Sequence, residues 1–383
     1  MTPDQVPDRV VDLVSGRLQI WLEPSDLSLD ALCGFASRAN PKRGFLFVSR
    51  VLGKHIPVRP ALMADTHRRL AAKIAGDLPG PVTFVAMAET ATGLGQSVFE
   101  HYLRAQPRDD LLFSHSTRYR LGPALDFREP HSHATEQLLH LPPDPATARR
   151  FAATRTLVLI DDEVSTGTTL VNLARACRTV QRGLERVVIV SLIDWLGPRR
   201  RADLADAIGL PTEVLSLLRG RFSFEPDPDF RPDPVDVTGS GGAKNAYLPT
   251  NFGRLGLCGL PRLELDRHVA DLGLEPGSRL LVLGSGEFAY PPYKLAEALE
   301  DAGHEVWFQT TTRSPVLVGG AIGSALSFED NYFDGIPNFV YNLGAASPDQ
   351  PRPYDRIVIG YETPRLPPQH RLAERLGASV CFF

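Results

Sequence analysis

The sequence predicts an α/β protein of two domains. Short β-branched runs alternate with Ala-, Leu- and Arg-rich segments, a Pro-, Asp- and Gly-rich stretch interrupts this pattern, and the alternation then resumes. Alternating strands and helices are typical of a parallel sheet flanked by helices. A chain of 383 residues is also long enough for two ordinary domains.

The predicted strands are nearly continuous apolar runs, which suits strands that are buried on both faces. In the first domain the strands occupy 44–50, 82–89, 156–163 and 186–194, and the helices occupy 61–77, 92–105 and 168–183. In the second domain the strands occupy 279–285, 304–311 and 355–361, with a helix near 293–303. We place the first domain at 1–223, a Pro/Gly-rich linker or arm at 224–262 and the second domain at 263–383.

The connection between the second and third strands is unusually long. Residues 105–155 contain a candidate hairpin, LLFSHSTRYR, together with His115, His131, His133 and His140. Long connections in compact domains are either functional lids or signs of a misplaced element. We interpret this one as a mobile hood over an active site. Zinc binding by its histidines is a weaker alternative, because neither a cysteine nor a helical ligand spacing accompanies them.

Composition and charge exclude several classes of protein. The 41 basic and 45 acidic residues nearly balance, which argues against nucleic-acid and membrane-surface partners. No run approaches the roughly 18–20 apolar residues of a membrane helix, and the N-terminal MTPDQVPDRV has no apolar signal region. Cys33, Cys177, Cys258 and Cys381 form no C-x-x-C pair, as expected of reduced thiols. We therefore expect a cytoplasmic protein.

The string LVLIDDEVSTGTT, at 157–169, carries the strongest chemical signal. Four apolar residues predict a buried strand, Asp161 and Asp162 follow at its carboxyl end, and Ser165–Thr169 open the next helix. The loop N–H groups, the hydroxyls and the helix N-terminus favour a phosphate, which Gly167 lets approach closely. The aspartates would repel a phosphate but suit sugar hydroxyls, or a Mg²⁺ held by that sugar. The string thus predicts a ribose 5-phosphate site; the alternative is a plain strand end and helix start.

This string resembles the PRPP-binding motif of type I phosphoribosyltransferases. The resemblance implies that Asp161 and Asp162 contact the ribose 2- and 3-hydroxyls and hold Mg²⁺ only indirectly, through PRPP. It implies that the 5-phosphate is bound by Ser165, Thr166, Gly167, Thr168 and Thr169. Glu163 stands where better-known members carry an apolar residue.

The resemblance also assigns the pyrophosphate. The loop after the first strand would bind it through Arg50, Gly53, Lys54 and His55, the alternative being a solvated basic turn. The small-residue loop after the second strand either contacts the pyrophosphate through Thr90 or is a tight turn into a helix.

The hood and the fourth strand complete the expected site. Arg118 and Arg120 of the hood would contact the leaving group in place of the loop lysine of known members, with His115, His131 and His133 as alternatives. Asp194 and Trp195 would contact the nucleobase-like acceptor, the alternative being a core tryptophan beside a helix cap. The expected catalytic residues are Asp161, Asp162, Lys54 and Arg118.

Two motifs follow strands of the second domain. Gly284-Ser285-Gly286-Glu287 matches half of a dinucleotide fingerprint, a weak signal alone. Thr312-Arg313-Ser314-Pro315 places an arginine and hydroxyls where a carboxylate or phosphate would bind, unless these are turn and capping residues. The candidate site residues of this domain are Gly284, Gly286, Glu287, Thr312, Arg313 and Ser314.

With these motifs the chain resembles phosphoribosyltransferase-like proteins that carry a C-terminal TRSP domain, here expected to be a smaller, Rossmann-like α/β domain. The subgroup is associated with tellurite-resistance and stress-response operons and with synthesis of a nucleoside-like metabolite. The resemblance implies a homodimer that transfers ribose 5-phosphate from PRPP to a nucleobase-like nitrogen acceptor with release of pyrophosphate, or the reverse from a nucleoside 5-monophosphate. Two alternatives are a silent PRPP or nucleotide sensor and a protein whose second domain is the main catalyst.

Overall fold

The computed structural model describes residues 6–40, 43–127, 137–233, 235–239, 242–343 and 354–383. The strands of the first domain are β1 (Arg9–Leu13), β2 (Gly16–Leu22), β3 (Cys33–Ser37), β4 (Phe45–Ser49), β5 (Val82–Ala86), β6 (Leu111–His115), β7 (Ala124–Asp126), β8 (Leu138–His140), β9 (Thr156–Val164), β10 (Arg186–Asp194) and β11 (Thr212–Pro226). Its helices are α1 (Leu29–Leu32), α2 (Pro60–Lys73), α3 (Thr92–Ala105), α4 (Pro145–Ala152), α5 (Thr168–Arg178) and α6 (Gly197–Ile208).

The second domain continues the same alternation. Its strands are β12 (Arg279–Gly284), β13 (Glu305–Thr310), β14 (Ala325–Glu329), β15 (Pro337–Tyr341), β16 (Arg356–Tyr361) and β17 (Ser379–Phe382). Its helices are α7 (Leu265–Asp271), α8 (Tyr290–Asp301) and α9 (Leu372–Leu376). Within the described ranges, no helix is both long and apolar enough to cross a membrane.

Seven of the described strands of the first domain form one sheet in the order β1-β2-β11-β10-β9-β5-β6, and β3-β4 and β7-β8 form separate two-stranded pairs. The five strands from β11 to β6 are parallel, and β2 and β1 extend the sheet in antiparallel fashion. In the parallel register, Ile160 pairs with Val190 on one side and with Ala86 on the other. All three side chains are buried. The continuous apolar runs of β5, β9 and β10 were therefore correctly predicted to be buried parallel strands.

The second domain contains a four-stranded parallel sheet in the order β13-β12-β16-β17, against which α8 packs. Helices and mostly parallel strands thus alternate in both domains. The predicted α/β fold class is confirmed.

The predicted first strand, 44–50, does not belong to the parallel sheet, and this prediction was wrong. β4 instead pairs with β3 in an antiparallel hairpin. Phe45 and Phe47 pack in the core of the first domain, whereas Leu46 and Val48 pack against the second domain. The run is continuously apolar because a different domain covers each face of the hairpin.

The long connection contained a missed sheet strand. LLFSH is not part of a hairpin but forms β6, parallel to β5 at the edge of the sheet. After β6, Thr117 and Tyr119 are buried against the second domain, and the two ring nitrogens of His140 lie 2.9 Å from the Tyr119 carbonyl oxygen and 3.3 Å from the Pro123 carbonyl oxygen. The described part of the expected mobile hood is therefore packed structure. Its residues 128–136, with His131 and His133, lie outside the described residues.

The Pro/Gly-rich segment returns along the outer edge of β6. Leu257 and Phe113 exchange two backbone hydrogen bonds of 2.8 Å, and the His115 N–H donates to the Gly253 carbonyl at 3.2 Å. Between these contacts Arg254 is buried, with only 2% of its surface exposed. This part of the segment is an arm that packs on the sheet, while the boundaries at 223 and 262 stay a prediction.

The Arg254 guanidinium joins the arm to two carboxylates of the second domain. It donates to both Glu362 carboxylate oxygens at 2.6 and 2.8 Å, and its Nε donates to Glu287 at 3.1 Å. Glu287 also accepts from the Thr117 hydroxyl at 2.6 Å and from the Arg118 N–H at 2.9 Å. Burial alone would raise the pKa of Glu287, but the charge of Arg254 and these hydrogen bonds lower it.

These contacts orient the two domains. Glu287 and Glu362 follow β12 and β16, and Thr117 follows β6, so each lies just beyond the carboxyl end of a parallel strand. The carboxyl edges of the two parallel sheets therefore face each other. In open α/β sheets this edge is where ligands bind.

Replacing Arg254 by alanine should destabilise the protein strongly. The substitution leaves Glu287 and Glu362 buried without their cation, and breaking a buried ion pair in this way costs about 3–5 kcal/mol. The loss should be largest near neutral pH. It should shrink as the pH falls and Glu287, whose pKa Arg254 lowers in the wild type, takes up a proton. Urea denaturation followed at several pH values measures both effects.

Arg267→Ala is the matched control, because Arg267 forms exposed ion pairs with Glu264 and Asp271. Exposed pairs contribute little, so this variant should unfold like the wild type. An Arg254→Ala protein as stable as that control would contradict the role given to Arg254.

Candidate active site

A cavity opens between the two facing carboxyl edges. Asp161, Asp162, Glu163 and the loop that runs from Val164 to Leu170 form one wall. The other walls consist of residues from the β3–β4 hairpin, the two loops that follow β4 and β5, and the TRSP motif: Arg38, Arg43, Leu46, Phe47, Ser49, Lys54, His55, Thr90, Thr312 and Ser314. The structure thus brings the strongest motif of the first domain together with the motif of the second.

The loop after β9 has the backbone geometry that an anion site needs. Gly167 is the N-cap of α5 with φ of 73°, in the left-handed region that favours glycine. A Cβ at this position would also lie 2.9 Å from the Cδ2 of Leu204. The first N–H groups of a helix have no partner within the helix and attract anions. The loop from Ser165 to Thr169 is therefore shaped to bind a phosphate.

Asp161 and Asp162 line the cavity and form no ion pair with any described residue. The Asp162 N–H donates to an Asp161 carboxylate oxygen at 2.9 Å. Burial and the neighbouring Asp162 raise the pKa of Asp161 well above its usual range, and burial also raises the pKa of Asp162. Both carboxylates would consequently be stabilised by hydroxyl donors or by a positive charge in the cavity.

Two arginines on the β3–β4 hairpin were missed by the sequence reasoning. Arg43 forms an ion pair with Glu163, which explains an acid at a position expected to be apolar. Arg38 lines the cavity and has a buried Nε without a hydrogen-bond partner in the described structure. In the sequence, these two arginines stand out only as part of a basic turn, and neither belongs to one of the recognised site motifs.

Lys54 lies at the domain interface with all three ammonium donors engaged. It forms an ion pair with Glu89 at 2.7 Å and donates to the carbonyls of Thr311 and Gly286 at 3.0 and 3.2 Å. Burial lowers the pKa of Lys54, while the charge of Glu89 opposes that shift. The loop that contains Lys54 follows β4, which is not a strand of the parallel sheet. This corrects the expectation that it follows the first strand of that sheet.

The neighbours of Lys54 divide between the interface and the cavity. Gly53, with φ of 64°, packs against Phe308 of β13, and a Cβ there would lie 2.7 Å from the Phe308 carbonyl oxygen. His55 is buried on the cavity wall, with its Nε2 unpartnered among the described residues. Arg50 is exposed and is not among the cavity residues.

The loop after β5 does lie at the carboxyl edge, and Thr90 reaches the cavity. Its neighbour Glu89 is buried between Lys54 and Arg313, whose guanidinium is 3.7 Å away. Burial alone would raise the pKa of Glu89, but Lys54, Arg118 and Arg313 together lower it to about 2. Glu89 therefore stays ionised and holds cations from both domains.

The hood arginines differ in position. Arg118 is half-buried and close enough to lower the pKa of Glu89, but it is not on the cavity wall. Arg120 is exposed, and its carbonyl accepts from the Lys244 N–H at 3.0 Å. His115 is buried against the arm, and its Nδ1 lies 2.8 Å from the Ser116 carbonyl oxygen.

Asp194 and Trp195 are core residues in this structure, contrary to the expected contact with the acceptor. The Trp195 ring stacks on Phe47 at 4.7 Å and is 3% exposed. Asp194 accepts from the Leu196 N–H at 2.9 Å and from Arg201 at 2.6 Å. Neither residue lines the cavity. The alternative interpretation, a core tryptophan beside an aspartate that caps a helix, describes this strand end better.

The candidate residues of the second domain also divide into two groups. Thr312 and Ser314 line the cavity. Glu287 and Gly286 belong to the interface, where the Gly286 carbonyl accepts from Lys54. Gly284 packs within the second domain, where a Cβ would lie 2.6 Å from the Phe288 carbonyl oxygen. Arg313 donates to the Tyr119 hydroxyl at 2.8 Å and faces Glu89, so it holds the hood segment rather than reaching the cavity.

The chemistry of the cavity suits Mg²⁺ held through a sugar ligand. Carboxylate oxygens such as those of Asp161 and Asp162 are ligands that Mg²⁺ prefers, and a cation beside them would offset the effect of burial on their ionised forms. The described ranges contain no cluster of three or more His, Cys, Asp or Glu side chains that would enclose a metal by themselves.

Comparison with known proteins follows the division into two domains. Residues 32–221 match a family model described as phosphoribosyl transferase, and residues 253–376 match the TRSP domain found C-terminal to it. The chain belongs to this phosphoribosyltransferase family. The recognition made from the sequence motifs is confirmed, and the protein is a pentosyltransferase enzyme.

Solved structures of low sequence identity are similar to about half of this chain. Adenine phosphoribosyltransferase from Rhodothermus marinus is 18% identical, with 49% of this chain and 95% of that chain covered and a TM-score of 0.31. The enzyme from Giardia lamblia, complexed with 9-deazaadenine, is 15% identical, with 51% and 98% covered and a TM-score of 0.33. The enzyme from Trypanosoma brucei, complexed with AMP, pyrophosphate and ribose-5-phosphate, is 12% identical, with 49% and 76% covered and a TM-score of 0.33. A search of curated proteins found no match.

In this phosphoribosyltransferase, Asp161→Asn should raise stability at neutral pH. Because the folded-state pKa of Asp161 is raised, the wild type loses stability as the pH rises above about 3.9, the ordinary value of an aspartate. The uncharged amide avoids that loss. Urea midpoints of the two proteins should therefore diverge with increasing pH, with the variant higher.

Asp110→Asn provides a control of opposite sign. Asp110 pairs with Arg108, and their hydrogen bond lowers its pKa, so removing the charge should reduce stability at neutral pH. If Asp161→Asn behaved like Asp110→Asn, the Asp161 carboxylate would be a structural ion-pair member and the site assignment would be wrong.

Proposed function

We propose that the protein catalyses Mg²⁺-dependent transfer of ribose 5-phosphate between PRPP and a nucleobase-like nitrogen acceptor. The observation that carries this proposal is the single cavity lined by Asp161, Asp162 and the loop Ser165–Thr169. Two aspartates without ion-pair partners beside a phosphate-binding loop are suited to a phosphorylated pentose. The carboxylates can accept hydrogen bonds from the sugar hydroxyls, and the loop can bind the phosphate. Family membership supports the same class of reaction.

The loop from Ser165 to Thr169 would bind the 5-phosphate through the N–H groups at the start of α5 and through its hydroxyls. Asp161 and Asp162 would accept hydrogen bonds from the ribose 2- and 3-hydroxyls. Mg²⁺, when bound, would neutralise charge on the pyrophosphate and the sugar oxygens. These contacts place the anomeric carbon between the aspartates and the opposite wall of the cavity.

In the transfer step the bond from C1 to the pyrophosphate oxygen breaks, and its electron pair leaves with the pyrophosphate. A bond forms between C1 and the acceptor nitrogen, which loses a proton. Positive charge develops on the sugar in such glycosyl transfers. The two carboxylates would stabilise that charge without moving, and preorganised charge of this kind is a large part of catalysis.

The roles that we propose for Lys54 and Arg118 differ from the catalytic roles expected from the sequence. Lys54, expected to be catalytic, would act by positioning the loops around Glu89 and Thr311, because its donors are engaged there. Arg118 would reach the leaving group only through a rearrangement of its side chain.

We further propose a cytoplasmic homodimer that makes a nucleoside-like metabolite in a tellurite-resistance or stress response.

A PRPP or nucleotide sensor is a second candidate. It is favoured by the engagement of Lys54, which lines the cavity, with Glu89 and with the carbonyls of Thr311 and Gly286 rather than with a ligand. Incubation with PRPP, Mg²⁺ and a panel of nucleobases, with pyrophosphate as the readout, separates the two. Release that depends on an acceptor supports the transferase, whereas tight PRPP binding without release supports the sensor.

Asp162→Asn should weaken PRPP binding by at least about tenfold, because a hydrogen bond to a charged group contributes about 1.5–3 kcal/mol. The fold should stay intact. Titration calorimetry with PRPP and Mg²⁺ measures the affinity, and a urea curve checks the fold. Asp206→Asn, on the exposed face of α6, is the control and should bind like the wild type. Unchanged affinity in the Asp162 variant would contradict the proposed ribose contacts.

A further inference from the structure

The TRSP motif is held against the β3–β4 hairpin by backbone pairing between the domains. The Leu317 N–H donates to the Ser37 carbonyl at 2.9 Å, and Arg38 forms a β-bridge with Val316. Arg38 therefore lies beside the segment that directly follows the motif. This pairing brings a side chain of the first domain next to Ser314 of the second.

The backbone around Ser314 is fixed by three hydrogen bonds. The Ser314 N–H donates to the Thr312 hydroxyl at 3.1 Å, and the Tyr341 hydroxyl donates to the Ser314 carbonyl at 2.7 Å. The same Tyr341 oxygen accepts from the Val316 N–H at 2.8 Å. The position of the Ser314 side chain on the cavity wall is thus set before any ligand binds.

Two buried polar atoms on this wall have no hydrogen-bond partner within the described structure, the Nε of Arg38 and the Nε2 of His55. Ser314, which is partly exposed, lies on the same wall. His55 is 6% exposed, and burial, followed by the charge of Lys54, lowers its pKa to about 3. Its imidazole is neutral at physiological pH and can donate one hydrogen bond. A buried donor without a partner is costly, so these groups indicate a ligand.

The charges near this wall select an anion. Lys54 and Arg313 are engaged with Glu89, and Arg43 is paired with Glu163. Arg38 forms no ion pair with a described residue. Burial lowers the pKa of its guanidinium to about 10, which still leaves it charged at neutral pH. A charged guanidinium beside a hydroxyl and an imidazole can donate hydrogen bonds to the oxygens of a phosphate group.

We propose that Arg38, His55 and Ser314, with Thr312 holding the turn, form the binding site for the pyrophosphate group of PRPP. The TRSP domain is then a part of the transferase site. This inference rests on the proposed function, since the aspartates and the phosphate loop place the sugar on the facing wall. When the C1–O bond breaks, the electron pair moves onto a pyrophosphate oxygen, where Arg38 and Ser314 stabilise the added charge.

The test compares PRPP with ribose 5-phosphate, which has the same sugar and 5-phosphate but no pyrophosphate. Ser314→Ala should weaken PRPP binding about tenfold in the presence of Mg²⁺ and leave ribose 5-phosphate binding unchanged. Arg38→Met should weaken PRPP and inorganic pyrophosphate more strongly, again without an effect on ribose 5-phosphate. Titration calorimetry on the full chain measures all three ligands.

Ser327→Ala is the matched control, because Ser327 is exposed on β14 of the same domain. It should bind all three ligands like the wild type. Equal weakening of PRPP and ribose 5-phosphate in the Ser314 variant, or no weakening of either in both variants, would overturn the pyrophosphate site. A wild-type protein that binds neither PRPP nor ribose 5-phosphate would overturn the proposed function as well, so the two failures are distinguishable.

Discussion

The buried ammonium of Lys54 is the interaction on which the arrangement of the two domains depends. A charge removed from water is tolerated only when it is paired and its donors are satisfied. Lys54 meets this condition through Glu89 of its own domain and the carbonyls of Gly286 and Thr311 of the other. These partners come together only if the carboxyl edges of both sheets face each other.

That orientation explains why the TRSP motif lies on the wall of a cavity in the first domain. In a single open sheet, the ligand site at the carboxyl edge is open to solvent on one side. Here the second sheet presents its own carboxyl edge to the same space, and the arm that carries Arg254 joins the two. The cavity consequently has one wall formed by Asp161, Asp162 and the loop from Ser165 to Thr169, and another wall to which the TRSP domain contributes Thr312 and Ser314.

The sequence was informative where one local pattern determines one structure. The apolar run before Asp161 and the loop around Gly167 predicted both the strand and the phosphate loop, since strand burial and a left-handed glycine are local requirements. The β4 run misled because a strand between two domains is as apolar as a central parallel strand. Lys54 misled for a related reason: its place in a basic loop after an apolar strand suggested a role in binding, whereas its three partners lie more than 30 residues away in the chain. Arg38 and Ser314 could not be paired from the sequence, because only the folded interface brings them together.

The central claim is that one phosphorylated pentose spans both walls of this cavity. A crystal structure of the full chain with PRPP and Mg²⁺ tests it most directly. The account predicts ribose hydroxyls on Asp161 and Asp162, the 5-phosphate at the start of α5, and the pyrophosphate against Arg38 and Ser314. A sugar bound elsewhere, or both aspartates turned away from it into protein ion pairs, would contradict the account.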